Sequence, residues 1–394
     1  MADSEGVRQG GDWQRRQIMR WGLVSAALFM AGCQVVPKAP PKPVEAPPEE
    51  GPTTGLPTDA TRHRIALLVP LSGSNAAIGE SISNAANMAV LDTGGQRIRM
   101  TVYDTAGGSA AAAEKAIAEG NKLILGPLLA EDVRAAAEVG RKNRVPLIAF
   151  SNDVSVAGNG TYLLGFTPAQ SVSRVVGYAR SRGMVKFAGL VPAGVYGQRA
   201  QTALTRSVEE AGGTLVSVQT YDRNAGAIMG AITRLNKAGA ADAVLIADSS
   251  RTAVQAVPIL RRGPSVNAKV LGTELWNTEA SLASPALAGA WFASVSDGVY
   301  NQMATKYRAR FGTAPFRLSS LGYDAVLLAT KVAVNWKVGT PFPLRALDDA
   351  GGFAGIDGAF RFNAYGVAER ALEVQQVGTS GATVVSPAPK SFAD

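Results

Sequence analysis

The sequence predicts an α/β protein built as two doubly wound, Rossmann-like lobes with a cleft between them. Three observations carry this. Short apolar runs alternate with amphipathic helical stretches from Arg64 to Phe150, the pattern of a parallel sheet covered on both faces. A second series of the same kind begins at Lys186. The two openings also echo each other. Leu68-Val69-Pro70 leads through small residues to Gly79, and Leu190-Val191-Pro192 leads through a shorter turn to Gly197.

In the first series "RIALLV" (64–69) is a continuous apolar run stopped by Pro70, which suits a strand buried on both faces. The turn Ser72-Gly73-Ser74-Asn75 follows, then a helix with Ile78, Ile82, Ala85, Ala86 and Ala89 on one face, ended across 92–95. Strands at 97–103, 122–125 and 145–150 alternate with helices at 110–119 and 131–142, and Gly126-Pro127 breaks the third strand. The second series has strands at 186–191, 214–220, 243–247 and 269–272. Helices are expected between them at 198–210, 228–237 and 251–261. Ligands of open α/β sheets bind beyond the carboxyl ends of the strands. The turns at 71–75, with Ser72 and Gly73, and at 193–196, with Tyr196, are therefore expected to face a shared cleft.

Composition narrows the function. The 394 residues are 46% hydrophobic and 18% charged, enough apolar surface for two or three domains. The net charge of +8 is scattered, with no stripe of basic and aromatic residues, so no nucleic-acid partner is expected. There is one histidine, His63, read as a solvated linker residue, and one cysteine, Cys33, so neither a zinc site nor an internal disulfide is available. No Gly-x-Ser-x-Gly, Walker A, His-Glu-x-x-His or helix-opening Gly-x-Gly-x-x-Gly motif occurs. No enzyme and no cofactor is expected.

The first 33 residues read as an address. Arg15, Arg16 and Arg20 precede an apolar stretch of eleven residues, 21–31, which fits the h-region of a signal peptide and is too short to span a bilayer. Met30-Ala31-Gly32-Cys33 resembles a bacterial lipobox, in which the cysteine sulfur receives a diacylglycerol. Several acyl chains anchor a protein stably where one does not. Arg15-Arg16-Gln17-Ile18-Met19-Arg20 resembles a twin-arginine export signal; translation from Met19 is the alternative, leaving only Arg20 as the charged region. Eight prolines in the 23 residues 35–57 make a tether, which in extended polyproline form reaches roughly 70 Å. The expected organisation is a leader at 1–33, a tether at 34–61, a first lobe of 62–168 with 297–350, a second of 169–296 with 351–380, and a flexible tail at 381–394.

Several segments together resemble the type I periplasmic-binding protein fold, in its branched-chain amino acid receptor branch. These are "ALLVPLSGSNAAIGESISNAANMAV", "VYDTAGGSAAAAEKAIAEGNKLILGPLLAEDVRAAAEVGRKNRVPLIAFSN", "LVPAGVYGQRAQTALTRSVEEAGGTLV", "LGYDAVLLATKVA" and "GIDGAFRFNAYGVAERALEVQQV". Within that fold "ILGPLLAEDV" looks most like the penicillin-binding protein activators. That resemblance implies an envelope lipoprotein, at the outer membrane, that stimulates a class A penicillin-binding protein and so regulates peptidoglycan synthesis. The better-studied activators carry an N-terminal helical-repeat domain where this chain has its proline-rich tether. The receptor branch implies instead a lipid-anchored binding protein of an ABC importer, with a small amino-acid-like or amide ligand. A DNA-binding regulator of the same fold needs a helix-turn-helix ahead of the first strand, where the leader and tether stand.

The receptors place Ser or Thr after the glycine of strand three, where this chain has Leu128-Leu129-Ala130, so Leu129 takes the place of a hydroxyl. Glu131 and Asp132 follow, either repelling a ligand carboxylate or serving a helix dipole. Ser151 and Asn152 offer polar contacts after strand four or simply end that strand. Tyr196 takes the family's aromatic position in the second lobe, or fills the interlobe gap. Glu274 is near the family's ammonium-binding acid, with Trp276 beside it. The lipobox yields the first test. Cells expressing the chain are expected to incorporate labelled palmitate into it, and Cys33→Ser to abolish the incorporation.

Overall fold

A computed structural model describes residues 59–277, 280–379, 381–389 and 392. The leader, Cys33 and the tether up to residue 58 lie outside the described residues. The first lobe opens with β1 (His63–Val69), α1 (Ala76–Asp92), β2 (Ile98–Asp104), α2 (Ser109–Ala118), β3 (Ile124–Leu125), α3 (Ala130–Asn143), β4 (Leu147–Ala149) and β5 (Thr161–Leu163). Its strands form one sheet in the order β2-β1-β3-β4-β5, parallel throughout. The central β1 is buried along almost its whole length, whereas β2 at the edge is half-exposed. That difference explains why "RIALLV" lacks any polar alternation.

The second lobe follows with α4 (Pro168–Ser181), β6 (Lys186–Pro192), α5 (Val195–Glu210), β7 (Thr214–Tyr221), α6 (Ala225–Ala238), β8 (Ala243–Ile246), α7 (Ser250–Leu260), β9 (Lys269–Gly272) and β10 (Trp291–Ser294). The chain then returns to the first lobe. Tyr300, Met303 and Tyr307 of α8 (Gly298–Phe311) and most of α9 (Ser319–Val332) bury against Ile65, Ile82 and Met88. After these come β11 (Phe353–Gly355), β12 (Gly358–Phe362), β13 (Ala368–Arg370), β14 (Glu373–Gly378) and β15 (Gly381–Ser386). The second sheet has the order β15-β14-β10-β9-β8-β6-β7, parallel from β10 to β7 and closed by the antiparallel β14 and β15.

Three expectations need correction. Residues 351–380 do not all join the second lobe. β11, β12 and β13 form a separate antiparallel sheet whose Phe353, Phe360 and Phe362 pack in the first lobe's core, and only β14 enters the second sheet. The tail beginning at residue 381 is not free chain, because β15 hydrogen-bonds along β14. His63 is no solvated linker residue either. It starts β1, is 4% exposed, and stacks on the Trp336 ring with centroids 3.9 Å apart. Burial accordingly pushes its imidazole below the usual range.

The chain passes between the lobes at residues 164–167, 295–297 and 371–372. The echo between the two openings has a structural cause. In each lobe the helix after the first strand starts directly on the carbonyl that ends the strand. A Cβ on Gly79 would lie 1.8 Å from the Pro70 oxygen, and one on Gly197 would lie 1.6 Å from the Pro192 oxygen. No side chain fits there, so the repeat Val-Pro…Gly is a packing requirement in both lobes. Gly79→Ala and Gly197→Ala are each expected to cost about 1–3 kcal/mol, the range for overpacking a dense interior, read as a lowered urea midpoint.

Candidate functional site

The carboxyl ends of the first sheet's inner strands and the start of the second lobe enclose a cavity of about 420 Å³. The segment after β3 contributes Leu128, Leu129, Ala130 and Glu131, with Arg134 one helical turn further on. The loop after β4 contributes Ser151, Asn152 and Asp153. Pro168 of α4 and Val195, Tyr196 and Arg199 of α5 close it from the second lobe. Each lobe supplies apolar wall and polar points, the usual make-up of a small-molecule site.

Charge is balanced inside this cavity and already in use. Arg199 reaches across from the second lobe, donating through Nη1 to the Asn152 carbonyl at 3.1 Å and through Nη2 to the Asp153 carboxylate. Arg134 of the first lobe comes within 3.3 Å of the other Asp153 oxygen. The backbone N–H of Ser155 donates to Asp153 at 2.9 Å, and the Ser151 hydroxyl accepts from the Asp153 N–H at 3.1 Å. Burial disfavours the Asp153 charge, yet the Ser155 hydroxyl and Arg199 outweigh it and hold the carboxyl at about 2. Two carboxylates, Glu131 and Asp153, thus stand against two guanidiniums. The Arg199 contacts tie α5 to the β4 loop across the cleft mouth.

Behind the cavity wall lies a second polar group. Tyr196 is half-buried; its hydroxyl donates to Glu274 Oε1 at 2.9 Å and lies 3.0 Å from the Thr273 hydroxyl. The Ser171 hydroxyl donates to the other Glu274 oxygen. Burial raises the Glu274 carboxyl above its ordinary range, with the Ser171 and Tyr196 hydrogen bonds opposing. Burial and the neighbouring Glu274 push the Tyr196 phenol well above its usual value.

Of the residues expected at the cleft, Leu129, Ser151, Asn152 and Tyr196 meet around the cavity. Ser72, Gly73, Glu274 and Trp276 do not line it. Ser72 is held at the sheet edge, where its hydroxyl and the Leu71 N–H bond the Asp104 carboxylate at 2.8 and 2.7 Å, and Gly73 beside it is exposed. Glu274 is turned onto Tyr196 and Ser171. Trp276 is a core residue, fully buried against Phe292, with its indole N–H donating to the Asp248 carbonyl at 2.9 Å. Glu131 and Asp132 occupy the first turn of α3, opposite Arg141 and Lys142 in its last, as the dipole favours.

Sequence reasoning missed Arg134 and Arg199. Both carry a readable signal: each stands three residues after a cleft residue on a helix, Glu131 and Tyr196, and so shares its face. A smaller cavity of about 80 Å³ lies at the amino end of β9, lined by Arg261 and Lys269, on the side of the sheet away from the cleft loops. Among the described residues no cluster of His, Cys, Asp and Glu suits a metal ion, and no helix is long and apolar enough to cross a membrane.

Known structures share the fold. A putative branched-chain amino acid ABC transporter protein from Rhodospirillum rubrum is 20% identical, covering 82% of this chain and all of its own (100%), with a TM-score of 0.71. A solute binding protein of R. palustris in complex with benzoate is 19% identical over 84% of this chain and 98% of its own, with a TM-score of 0.62. A branched-chain amino acid substrate-binding protein of Streptococcus pneumoniae, in complex with isoleucine, is 19% identical over 83% and 100%, with a TM-score of 0.60. An uncharacterised protein of Rickettsia prowazekii is 24% identical over 211 residues, 53% of each chain, so this chain spans about half the length of that curated relative. The periplasmic binding protein family model matches residues 63–382, both lobes together. The chain belongs to the periplasmic binding protein family, whose members bind ligands and are not enzymes.

Proposed function

We propose that the protein is a lipid-anchored solute receptor of the cell envelope, tethered through Cys33, that captures a small ligand between its lobes for an ABC importer. The observation that carries this reading is the cavity of about 420 Å³ to which both lobes contribute. A ligand touching both walls binds the closed arrangement better than the open one and so shifts the population toward it. Leu128, Leu129, Val195 and the Tyr196 ring offer an apolar bed, and Arg199 with Arg134 offers a carboxylate site that Asp153 fills in this structure. A ligand carboxylate would take over Arg199 from Asp153. Branched-chain amino acids and benzoates, bound by proteins of the same fold, have the required combination of carboxylate and apolar body.

A second reading keeps the lobes but changes the partner: direct stimulation of a class A penicillin-binding protein at the outer membrane. Two observations favour it. Leu129 stands where a hydroxyl would meet a ligand carboxylate, and Glu274, the expected ammonium partner, already accepts from Tyr196 and Ser171. A thermal-shift screen of the full chain against amino acids, amides and benzoates separates the two. The receptor reading expects at least one ligand to raise Tm, and Arg199→Ala or Tyr196→Ala to weaken that ligand about tenfold or more, roughly 1.4 kcal/mol. A blank screen together with faster glycan polymerisation by a class A penicillin-binding protein would leave the second reading standing.

A further inference from the structure

All three interlobe crossovers converge on one buried set of charges. Arg370, the last residue of β13, is 7% exposed; its Nη2 donates to the Leu164 carbonyl of the first crossover at 2.8 Å. The same guanidinium lies 4.7 Å from the Phe166 ring, also in the first crossover, and 3.6 Å from Asp324 of α9. Arg317, just before α9, lies 2.7 Å from Asp357 in the β11–β12 turn and 3.6 Å from Asp297 in the second crossover. It also sits over the Tyr300 ring at 4.0 Å. Glu373, directly after the third crossover, is buried and feels the Asp297 charge. Asp324 and Asp357 are completely buried.

Three carboxyl groups, Asp297, Asp324 and Asp357, therefore share two guanidiniums, Arg317 and Arg370, and Glu373 adds its own carboxyl beside Asp297. The accounts do not balance in hydrogen bonds either. Apart from the close Arg317 Nη2–Asp357 Oδ1 contact, Asp324 Oδ2, Asp357 Oδ2, Arg317 Nε, and Nε and Nη1 of Arg370 have no hydrogen-bond partner among the described residues. A buried acid in surplus over its partners takes up a proton more cheaply than it keeps its charge. Asp324 is the group placed to do so. It faces Asp357, Arg370 and Arg317, and the Ile356 N–H donates to its Oδ1 at 2.6 Å, leaving Oδ2 toward Arg370. The adjacent Tyr323 points away, donating to Asp92 of α1 at 2.7 Å.

We propose that this cluster is a proton-sensitive clasp on the hinge: a proton on Asp324 favours the lobe arrangement seen here, and its loss loosens the crossovers. The Arg370 backbone N–H donates to Gln170 Oε1 of α4 at 2.8 Å while its guanidinium faces Leu164 and Asp324, so lobe rotation is expected to pull on Arg370 and change the surroundings of the Asp324 carboxyl. Burial is the largest influence on that carboxyl, ahead of Asp357, and holds it up at about 7. An opening that admits water would relieve burial, which outranks Arg370 among the influences on this carboxyl, and lower it again. The raised value belongs to the arrangement seen here, and a more open one would carry the lower value, which gives the sign. Below about pH 4 Asp324 is protonated in both arrangements and contributes no pH dependence. As pH rises toward about 7 the open arrangement gains progressively, and above that the advantage is constant.

The clasp acts whatever occupies the cleft, so its test needs no ligand and is separate from the receptor reading. Nitroxides on Lys142→Cys in the first lobe and Lys237→Cys in the second, in the full chain carrying Cys33→Ser, report the interlobe distance by pulsed dipolar spectroscopy. The distance is expected to lengthen by about 2 Å or more between about pH 5 and pH 8. Asp324→Asn should abolish the change and keep the shorter distance at both values. Asp357→Asn, which removes the neighbouring charge, should move the midpoint to lower pH and decides the matter if Asp324→Asn fails to fold. A distance that does not change with pH in the parent protein, or a change that survives both substitutions unaltered, overturns the proposal.

Discussion

The seating of a helix start on the carbonyl that ends the preceding strand is the constraint from which both lobes follow. Pro70 and Pro192 stop the first strand of each lobe and leave a carbonyl at its end, and Gly79 and Gly197 let the next helix come down onto it. With that contact made, the helix axis is fixed relative to the sheet, and the residues of its first turns are aimed. In the second lobe those are Val195, Tyr196 and Arg199, which face the cleft. In the first lobe the same device has a different outcome. Asp104 at the end of β2 holds Leu71 and Ser72 at the sheet edge, and the cavity is lined instead from β3 and β4. Equivalent construction therefore does not give equivalent loops; the side chain at the end of the neighbouring strand decides.

The cleft that results is bridged by an ion pair of the protein's own. Arg199 and Asp153 belong to different lobes, and both are partly shielded from water. A pair in that position contributes more than an exposed surface pair, because solvent screens it less. It also shapes what can enter. A neutral apolar ligand would have to fit around an intact Arg199–Asp153 contact. A ligand with its own carboxylate exchanges one ionic partner for another and leaves Asp153 with Arg134 and Ser155. The net energy of binding then depends on the exchange rather than on a new ion pair, which favours ligands whose apolar body contributes the remainder.

The fold was legible wherever a run was long and purely apolar. "RIALLV" and "KFAGLV" read as strands because parallel strands buried on both faces exclude polar residues. β5 and β11 to β13, at three to five residues each, are too short to show a period, even though β11, β12 and β13 pair with their immediate neighbours in the chain. β15 reads as tail because its residues are only half-buried; the β14 ladder, the Arg174 bond to the Ser386 hydroxyl and the packing of Ala382 and Val385 hold it in place. His63 and Trp276 misled in opposite directions. A lone histidine before a strand looks solvated until Trp336, from the other end of the lobe, covers it. A tryptophan beside a candidate acid looks like a cleft residue until β9 turns it into the core. Tyr196 was legible from the turn after the second lobe's first strand, but α5 begins at Val195 rather than at 198, and only with Tyr196 on the helix does Arg199 follow from it by helical spacing.

The buried charges at the crossovers are the part of the molecule that fold economy does not explain. Apolar residues of similar volume at 324, 357, 317 and 370 would spare the cost of removing these groups from water. What they would not supply is a contact that depends on direction. Arg370 holds the Leu164 carbonyl, the Phe166 ring and the Asp324 carboxyl from three sides, and Arg317 does the same for Asp297, Asp357 and Tyr300. Apolar packing tolerates sliding, whereas each of these contacts weakens with a change of angle or distance. A hinge made of three chain passages needs its rest position defined by something sensitive to twist, and among the described residues this ionic cluster touches all three passages. Its surplus of carboxyl groups then follows from its place. Balancing every acid with a further cation would make the arrangement rigid, while leaving one acid underpaired lets a single proton set how firmly the passages are held.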